Sequence, residues 1–128
     1  QIKIGRNTSM KIAIPVDKES KDADVCTSFG RALFFLIYDC ESEEGQFLLN
    51  DAAKMTGGAG IKAAQIVVDS GAKVLLTPRC GKNAADVISA ADISIHKTIH
   101  KTALENITAF LADELDTLDE IHAGFHGA

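Results

Sequence analysis

The sequence contains no tryptophan, only one tyrosine and two prolines, and fewer basic than acidic residues. It also lacks any apolar run near the roughly 20 residues that a membrane-spanning helix needs. The start of the chain has none of the basic, apolar and small-residue order of a secretory signal. We therefore expect a cytoplasmic protein that folds as a globular unit and does not associate with membranes.

Basic residues are too few for a protein that binds phosphate backbones. Residues 1–9 precede Met10, where a more regular pattern begins, and we interpret them as a remnant of an expression vector. Without Lys3 and Arg6, the formal charge falls from −5 to −7. Because nucleic-acid binding needs a basic face that displaces counterions, we expect no nucleic-acid partner.

Cysteine is also scarce, and its three copies at positions 26, 40 and 80 are widely spaced with no CxxC pair. This spacing excludes the common zinc and dithiol redox motifs. We expect reduced thiols, and we interpret Cys26 and Cys40 as small buried apolar residues.

Short apolar runs rich in β-branched and aromatic residues alternate with helical patterns. The predicted strands cover residues 11–16, 33–40, 46–50, 73–78 and 93–98, and the predicted helices cover residues 60–71, 84–91 and 102–115. The second and third strands form a hairpin, whereas the later strands alternate with helices and favour parallel pairing. These patterns predict one three-layer α/β/α domain over residues 10–115, with a mixed five-stranded sheet between the helices. We expect the acidic, histidine-containing tail, residues 116–128, to be mobile.

The clearest local feature is a glycine-rich stretch, Gly57-Gly58-Ala59-Gly60, directly before a predicted helix. Glycines let backbone N–H groups approach a ligand, and the N-terminus of a helix favours negative charge. The spacing fits neither a P-loop nor a Rossmann fingerprint. The stretch therefore predicts an anion-binding loop or, alternatively, a tight turn that needs glycine for positive φ and close packing.

Two further loops combine cations with a thiol or a glycine. Arg79-Cys80-Gly81-Lys82-Asn83 leads into the second helix, and this basic setting predicts a lowered pKa for Cys80, as in a metal ligand or reactive thiolate. Alternatively, Arg79 and Lys82 are ordinary solvated charges. In the other loop, Arg31 either orients an oxyanion or thio-anion through its planar guanidinium or pairs with Asp24.

Carboxylates and histidines offer a competing hypothesis, a divalent-metal-dependent hydrolase or nuclease. Only Asp17 and Asp39 lie near strand ends where such ions bind, which is a weak basis for that chemistry. The pairs His96/His100 and His122/His126 have the i, i+4 spacing of a helical metal site, but His96 falls in a predicted strand. A regulatory interaction module is a third hypothesis, and an exposed apolar patch would be its sign.

Four segments in order resemble the dinitrogenase iron-molybdenum cofactor biosynthesis family. They are MKIAIPVD at residues 10–17, SFGRALFFLIYD at 28–39, GGAGIKAAQ at 57–65 and GKNAADVI at 81–88. The resemblance covers nearly all of residues 10–115 and implies a ribonuclease-H-like three-layer fold. It also implies a non-enzymatic carrier of an anionic metal-sulfur cluster. That cluster is the iron-molybdenum cofactor or a precursor or, in the orange-protein subgroup, a molybdenum-copper sulfide cluster.

The same resemblance implies a binding region formed by the three loops. It comprises Ser28, Phe29, Gly30, Arg31, Gly57, Gly58, Ala59, Gly60, Arg79, Cys80, Gly81, Lys82 and Asn83. Backbone N–H groups and the three cations would hold the cluster without a covalent bond, and a protein donor or acceptor of the cluster is implied as a partner. Ser28 stands where many relatives have histidine, so we keep Cys80 as a candidate replacement metal ligand.

Overall fold

A computed structural model describes residues 10–20 and 22–118, which form one five-stranded mixed sheet in the order β3-β2-β1-β4-β5. The strands are β1 (Lys11–Val16), β2 (Phe34–Asp39), β3 (Glu44–Leu49), β4 (Val74–Thr77) and β5 (Ser94–Lys97). β2 pairs antiparallel with β1 and β3, whereas β4 pairs parallel with β1 and β5. The predicted mixed sheet is therefore confirmed.

Three helices cover the two faces of this sheet. They are α1 (Ala59–Asp69), α2 (Lys82–Ala90) and α3 (Ala103–Leu111). Successive residues of a strand point to opposite faces, so Ala13 packs with α1 and α2, whereas Ile12 and Ile14 pack with α3. The two apolar cores confirm the three-layer architecture. None of the described helices is long and apolar enough to cross a membrane.

The last helix is shorter than the apolar spacing predicted. α3 ends at Leu111, and Asp113 adopts a φ of 61°, in the left-handed region that interrupts a right-handed helix. Leu115 is still buried at 6% exposure, but it reaches the core from the segment after the helix. The predicted end of this helix at residue 115 is thus wrong, and Leu104 and Leu111 on α3 are exposed, at 39% and 53%.

The segment that follows runs along the outer edge of β5. The Lys97 N–H donates to the Asp116 carbonyl at 2.9 Å, and the Leu118 N–H donates to the Ile95 carbonyl at 2.9 Å. Leu118 is 8% exposed and packs in the core beneath α1 and α2. Residues 116–118 therefore lie along an open strand edge and reach a core position, and the mobility of the tail stays a prediction. Residues 119–128 lie outside the described residues.

The topology gathers three loops at one end of the sheet. β1 and β4 are parallel and end at the same edge, while β2, which is antiparallel to β1, begins there. The loop before β2, the start of α1 and the connection from β4 to α2 therefore meet at this edge. Ligands of open α/β sheets bind at such carboxyl ends of the strands.

Candidate functional site

The three loops border a cavity of about 610 Å³, a volume typical of small-ligand sites. Its lining consists of residues 27–30, 58–61 and 79–84. Eleven of the thirteen residues predicted from the sequence line it, and Arg31 and Gly57 do not. Thr27, Ile61 and Ala84 were missed. Each directly adjoins a predicted motif, and extending the motifs by one residue would have found them.

Two helices begin at this cavity without a side-chain cap. α1 follows Gly58, which has a φ of 73°, and α2 follows Gly81, and neither first turn contains an acidic residue. The first backbone hydrogen bond of α1 runs from the Lys62 N–H to the Gly58 carbonyl, and that of α2 runs from the Ala85 N–H to the Gly81 carbonyl. Within the described chain, the backbone N–H groups of residues 59–61 and 82–84 have no acceptor. Helix N-termini with free N–H groups attract anions.

The first two loops pack closely against each other at a glycine. A Cβ atom at Gly30 would lie 3.2 Å from the backbone nitrogen of Gly60 and 3.3 Å from its Cα. The buried Asn50 side chain fixes the same loop, because its Nδ2 donates to the carbonyls of Gly30 (3.2 Å) and Ala32 (2.8 Å). Its Oδ1 accepts from the Ala52 N–H at 3.1 Å. Asn50 therefore connects the loop before β2 to the segment that leads into α1.

Arg31 lies outside the cavity and connects two of the segments that form its wall. Its guanidinium donates to the carbonyls of Ala53, at 3.3 Å, and Met55, and so ties the first loop to the segment that leads into α1. It makes no ion pair with Asp24 among the residues that the structure describes. Its predicted contact with an anion stays a prediction.

Cys80 lies at the inner wall of the cavity with 2% exposure. Burial raises the pKa of its thiol to about 11, so the lowered pKa expected from the sequence is wrong. The cations cannot offset burial because Lys82 Nζ lies 2.9 Å from Asp86 Oδ2 and the Arg79 residue is exposed. The pKa values of the Cys26 and Cys40 thiols are also raised, chiefly by burial.

The charges that border the cavity are positive. Arg79 and Lys82 line it, and its lining, as far as the chain is described, includes no aspartate or glutamate. Apolar contributions come from Phe29, Ile61 and Ala84. Free backbone donors, two cations and apolar walls make this a site for an anion with polarisable or apolar surface.

The two aspartates of the hydrolase hypothesis lie at opposite ends of the sheet. Asp39 pairs with Lys11 at the start of β1, whereas Asp17 follows the end of that strand, roughly 17–20 Å away for a strand of this length. Asp17 Oδ1 accepts from the Leu33 N–H at 3.1 Å, and Asp39 Oδ1 accepts from the Glu41 N–H at 2.8 Å. The two carboxylates cannot share a metal ion.

The described histidines do not form a metal site for a hydrolase either. His96 lies on β5, where its ring packs on Phe110, and His100 lies in the following loop, so this pair does not share a helix face. His122 and His126 lie outside the described residues. In residues 10–20 and 22–118, no group of three or more histidine, cysteine or acidic residues could hold a metal ion.

Comparisons with known proteins agree on the fold and the family. The family model described as dinitrogenase iron-molybdenum cofactor matches residues 10–113. The apo form of the orange protein from Desulfovibrio gigas superposes with a TM-score of 0.82 at 28% identity, over 89% of this chain and 97% of that one. A putative NifB protein from Thermotoga, which belongs to the DUF35 family, gives 0.77 at 30% identity, over 88% and 97%.

A putative dinitrogenase from Methanocaldococcus jannaschii, at 18% identity, shares the fold with a TM-score of 0.65, over 88% of this chain and 98% of that one. No curated protein matches the sequence. The family model covers most of the chain, and the Thermotoga relative is similar over nearly its whole length. This chain belongs to the dinitrogenase iron-molybdenum cofactor family.

Proposed function

We propose that this protein is a non-catalytic carrier that holds an anionic, molybdenum-containing metal-sulfur cluster in the 610 Å³ cavity. The observation that supports this most directly is the pair of helix N-termini that open, without side-chain caps, at one cavity. The cargo is the iron-molybdenum cofactor or a precursor, or a molybdenum-copper sulfide cluster. The family description, which names the first of these, supports the cargo class.

The proposed contacts follow from the lining. Backbone N–H groups of residues 59–61 and 82–84 would donate to the sulfides of the cluster, as helix N-termini do to phosphate and other anions. Arg79, which has no ion-pair partner in the described chain, and Lys82 would add charge. Phe29 and Ala84 would exclude water, which strengthens these interactions. Ser28, Gly30, Cys80 and Asn83 complete the wall.

Two residues of the predicted site have an indirect part in this proposal. Arg31 would act by positioning the segment before α1 through the carbonyls of Ala53 and Met55. Gly57 would act only through the backbone of the segment that leads into α1, since it does not line the cavity and a Cβ atom added there would meet no described atom within 4 Å. A carrier also needs a protein that donates or accepts the cluster, and this partner is part of the proposal.

The first experiment loads the full chain, without a polyhistidine tag, under anaerobic conditions. The apo-protein is mixed with tetrathiomolybdate and Cu(I), or in parallel with tetrathiomolybdate and Fe(II), then desalted. Metal analysis and the visible spectrum report binding. We expect stoichiometric molybdenum with a charge-transfer band, and the metal that accompanies it distinguishes the two cargoes. A colourless protein without metal in both arms would contradict the proposal and favour the interaction module.

A substitution of one amide by a carboxylate tests the anion site. Asn83→Asp adds a negative charge at the first turn of α2, where it lines the cavity. We expect about tenfold weaker cluster binding at low ionic strength, since a loss of about 1.4 kcal/mol corresponds to that factor. Folding stability should stay equal or rise by about 0.3–1 kcal/mol, because a carboxylate suits a helix N-terminus.

The matched control is Gln46→Glu on β3, which makes the same amide-to-carboxylate change on an exposed residue away from the cavity. It should bind the cluster like the unchanged protein. If Asn83→Asp and Gln46→Glu bind the cluster equally well, the cluster does not sit at the start of α2.

A further inference from the structure

The two outer strands of the sheet differ in what covers their edges. β5 is covered within the chain, since residues 116–118 form backbone hydrogen bonds with Ile95 and Lys97. β3 lies at the other side of the sheet, and its outer edge pairs with no segment that the structure describes. Proteins normally protect such an edge, because its open backbone groups pair with any strand that approaches.

β3 has none of the features that usually protect an edge strand. Its six residues, EGQFLL, include no proline and no lysine. They pair one to one with β2, from Glu44 opposite Asp39 to Leu49 opposite Phe34, so the strand has no bulge. Residues 45–50 carry no charge, and Leu49 is 62% exposed. β3 is therefore a regular strand with an uncharged edge that is open to pairing.

The hydrogen bonds between β2 and β3 determine which backbone groups face outward. The Asn50 N–H donates to the Leu33 carbonyl at 2.9 Å. Because bonded and non-bonded pairs alternate in an antiparallel ladder, the bonds to β2 fall on every second residue before Asn50. The N–H and carbonyl groups of Gly45, Phe47 and Leu49 then point away from the sheet, where the described chain offers them no partner. This spacing matches the backbone of another antiparallel strand.

An apolar groove lies beside this edge, on the face of the sheet that α1 covers. Its volume is about 400 Å³, and its apolar lining comes from Ile37, Leu48, Leu49 and Ile66. The groove shares no lining residue with the cavity between the three loops. A strand added to β3 would widen the sheet at this groove and remove its apolar lining from water.

The end of this chain is too far away to supply that strand. Leu118 bonds to Ile95, outside the opposite edge of the sheet. The distance from there to the outside of β3 is about 29 Å, which is six strand spacings of about 4.8 Å. Residues 119–128 span at most about 36 Å when fully extended, so about two residues would remain for pairing. The strand therefore has to come from another molecule.

We propose that two copies of this protein associate through β3, as antiparallel strands related by a two-fold axis. The outward backbone groups set the register, in which Phe47 lies opposite the partner's Phe47 and Gly45 lies opposite the partner's Leu49. About six main-chain hydrogen bonds then join the copies. Gly45 has no side chain, so the exposed leucine of the other copy can pack over it. No pair within residues 44–50 brings like charges together.

This arrangement ends at a dimer. The outer edges of the joined sheet are the two β5 strands, and residues 116–118 of each copy cover them. A two-fold contact uses the same surface on both copies and leaves none for a third. Both cavities stay open, because no residue of β3 lines them. The axis reverses the strand direction, so the two cavities lie at opposite ends of the dimer.

Sedimentation velocity of the full chain, at concentrations from about 1 μM to 1 mM, tests the association. We expect one reversible equilibrium between monomer and dimer. Leu49→Lys places a charge on the open edge, twice in a two-fold contact, and should weaken association at least about tenfold. The matched control is Leu111→Lys, at a similarly exposed leucine of α3. A chain that stays monomeric overturns the proposal, and so does equal association of the two variants.

Amide hydrogen exchange, measured by NMR, locates the contact without any substitution. The N–H groups of residues 45, 47 and 49 should exchange rapidly in dilute samples and become protected as the dimer forms, whereas their neighbours bonded to β2 are protected throughout. If residues 1–9 cover the edge, all three groups are protected in the monomer and the proposal fails. If they stay unprotected in a dimer, the contact lies elsewhere and the proposal also fails. Neither measurement involves the cluster, so the result is independent of the carrier function.

Discussion

The three helices differ in how their N-termini are capped. α3 has side-chain hydrogen bonds to its first N–H groups, whereas α1 and α2 have none. The Thr102 side chain accepts from the Glu105 N–H at 3.2 Å, and the Glu105 carboxylate accepts from the Thr102 N–H at 3.0 Å. This capping box satisfies the start of α3 within the protein. α1 and α2 follow Gly58 and Gly81, which cannot cap with a side chain.

The capped N-terminus of α3 contributes to folding stability, whereas the uncapped N-termini of α1 and α2 are available to a ligand. α3 lies on the face of the sheet opposite α1 and α2, and its capped start adds to folding stability without any ligand. At the cavity, capping side chains would occupy the donors that an anion needs. A glycine N-cap forgoes only about a few tenths of a kcal/mol relative to a capping side chain, and a bound anion can restore this and add more. The cavity end is thus the part of the fold that a ligand should stabilise most.

The largest expected effect comes from disturbing the close contact that builds the cavity end. Gly30→Ala would place a Cβ 3.2 Å from the Gly60 nitrogen, and backbone cannot turn aside as a side chain can. We expect a loss of about 1–3 kcal/mol in the free energy of unfolding, as for other overpacked sites, and weaker cluster binding. Urea unfolding monitored by circular dichroism measures the first effect.

The other glycine of this contact provides the control. A Cβ at Gly60 would meet only Ala84 Cβ, at an ordinary 3.6 Å. Because alanine favours a helix over glycine, Gly60→Ala should raise the free energy of unfolding by up to about 1 kcal/mol. Equal stability of the two variants would mean that the Gly30 contact does not constrain the cavity.

An intermediate effect is expected at the capped helix. Thr102→Ala removes the side chain that accepts from the Glu105 N–H and should lower the free energy of unfolding by about 1 kcal/mol. Thr102 lies outside the cavity lining, so cluster affinity should not change. Thr102→Ser keeps the hydroxyl and should retain most of the stability. A change of cluster affinity in Thr102→Ala would show that the capped helix start on one face of the sheet affects the cavity on the other face, contrary to this prediction.

Much of this arrangement follows from local sequence pattern. Runs such as residues 11–16 and 34–39 are rich in β-branched or aromatic residues, and they form buried strands with nearly the predicted bounds. Glycines before helical patterns marked both uncapped helix starts. Parallel pairing then brings those starts to one edge of the sheet. The loops could therefore be placed together without knowing any long-range contact.

What the sequence could not predict depends on contacts between distant residues. Burial of Cys80 results from packing against α1 and α2, and it reverses the effect on the thiol pKa that neighbouring cations suggested. Arg31 finds its acceptors more than twenty residues away, at Ala53 and Met55. Residues 116–118 dock because the edge of β5 is open, and nothing in their own composition indicates this.

The smallest expected effect concerns the charge beside the cavity. Lys82 and Asp86 form an i, i+4 ion pair at 2.9 Å, with side chains 61% and 64% exposed. Asp86→Asn should change the free energy of unfolding by at most about 0.5 kcal/mol, since exposed pairs contribute little. It removes a negative charge near the cavity and leaves Lys82 free for an anion, so cluster affinity should rise, by less than about tenfold, and the gain should shrink with added salt.

Asp69→Asn at the end of α1 makes the same charge change without touching the cavity lining, and it serves as the control. Binding titrations of both variants at low and high salt give the comparison. If Asp86→Asn binds the cluster no more tightly than Asp69→Asn, Lys82 adds nothing to the site. The attraction would then come from the uncapped helix starts and Arg79. If Asp86→Asn binds more weakly, the cargo is not anionic, and the contrast between capped and uncapped helices needs another explanation.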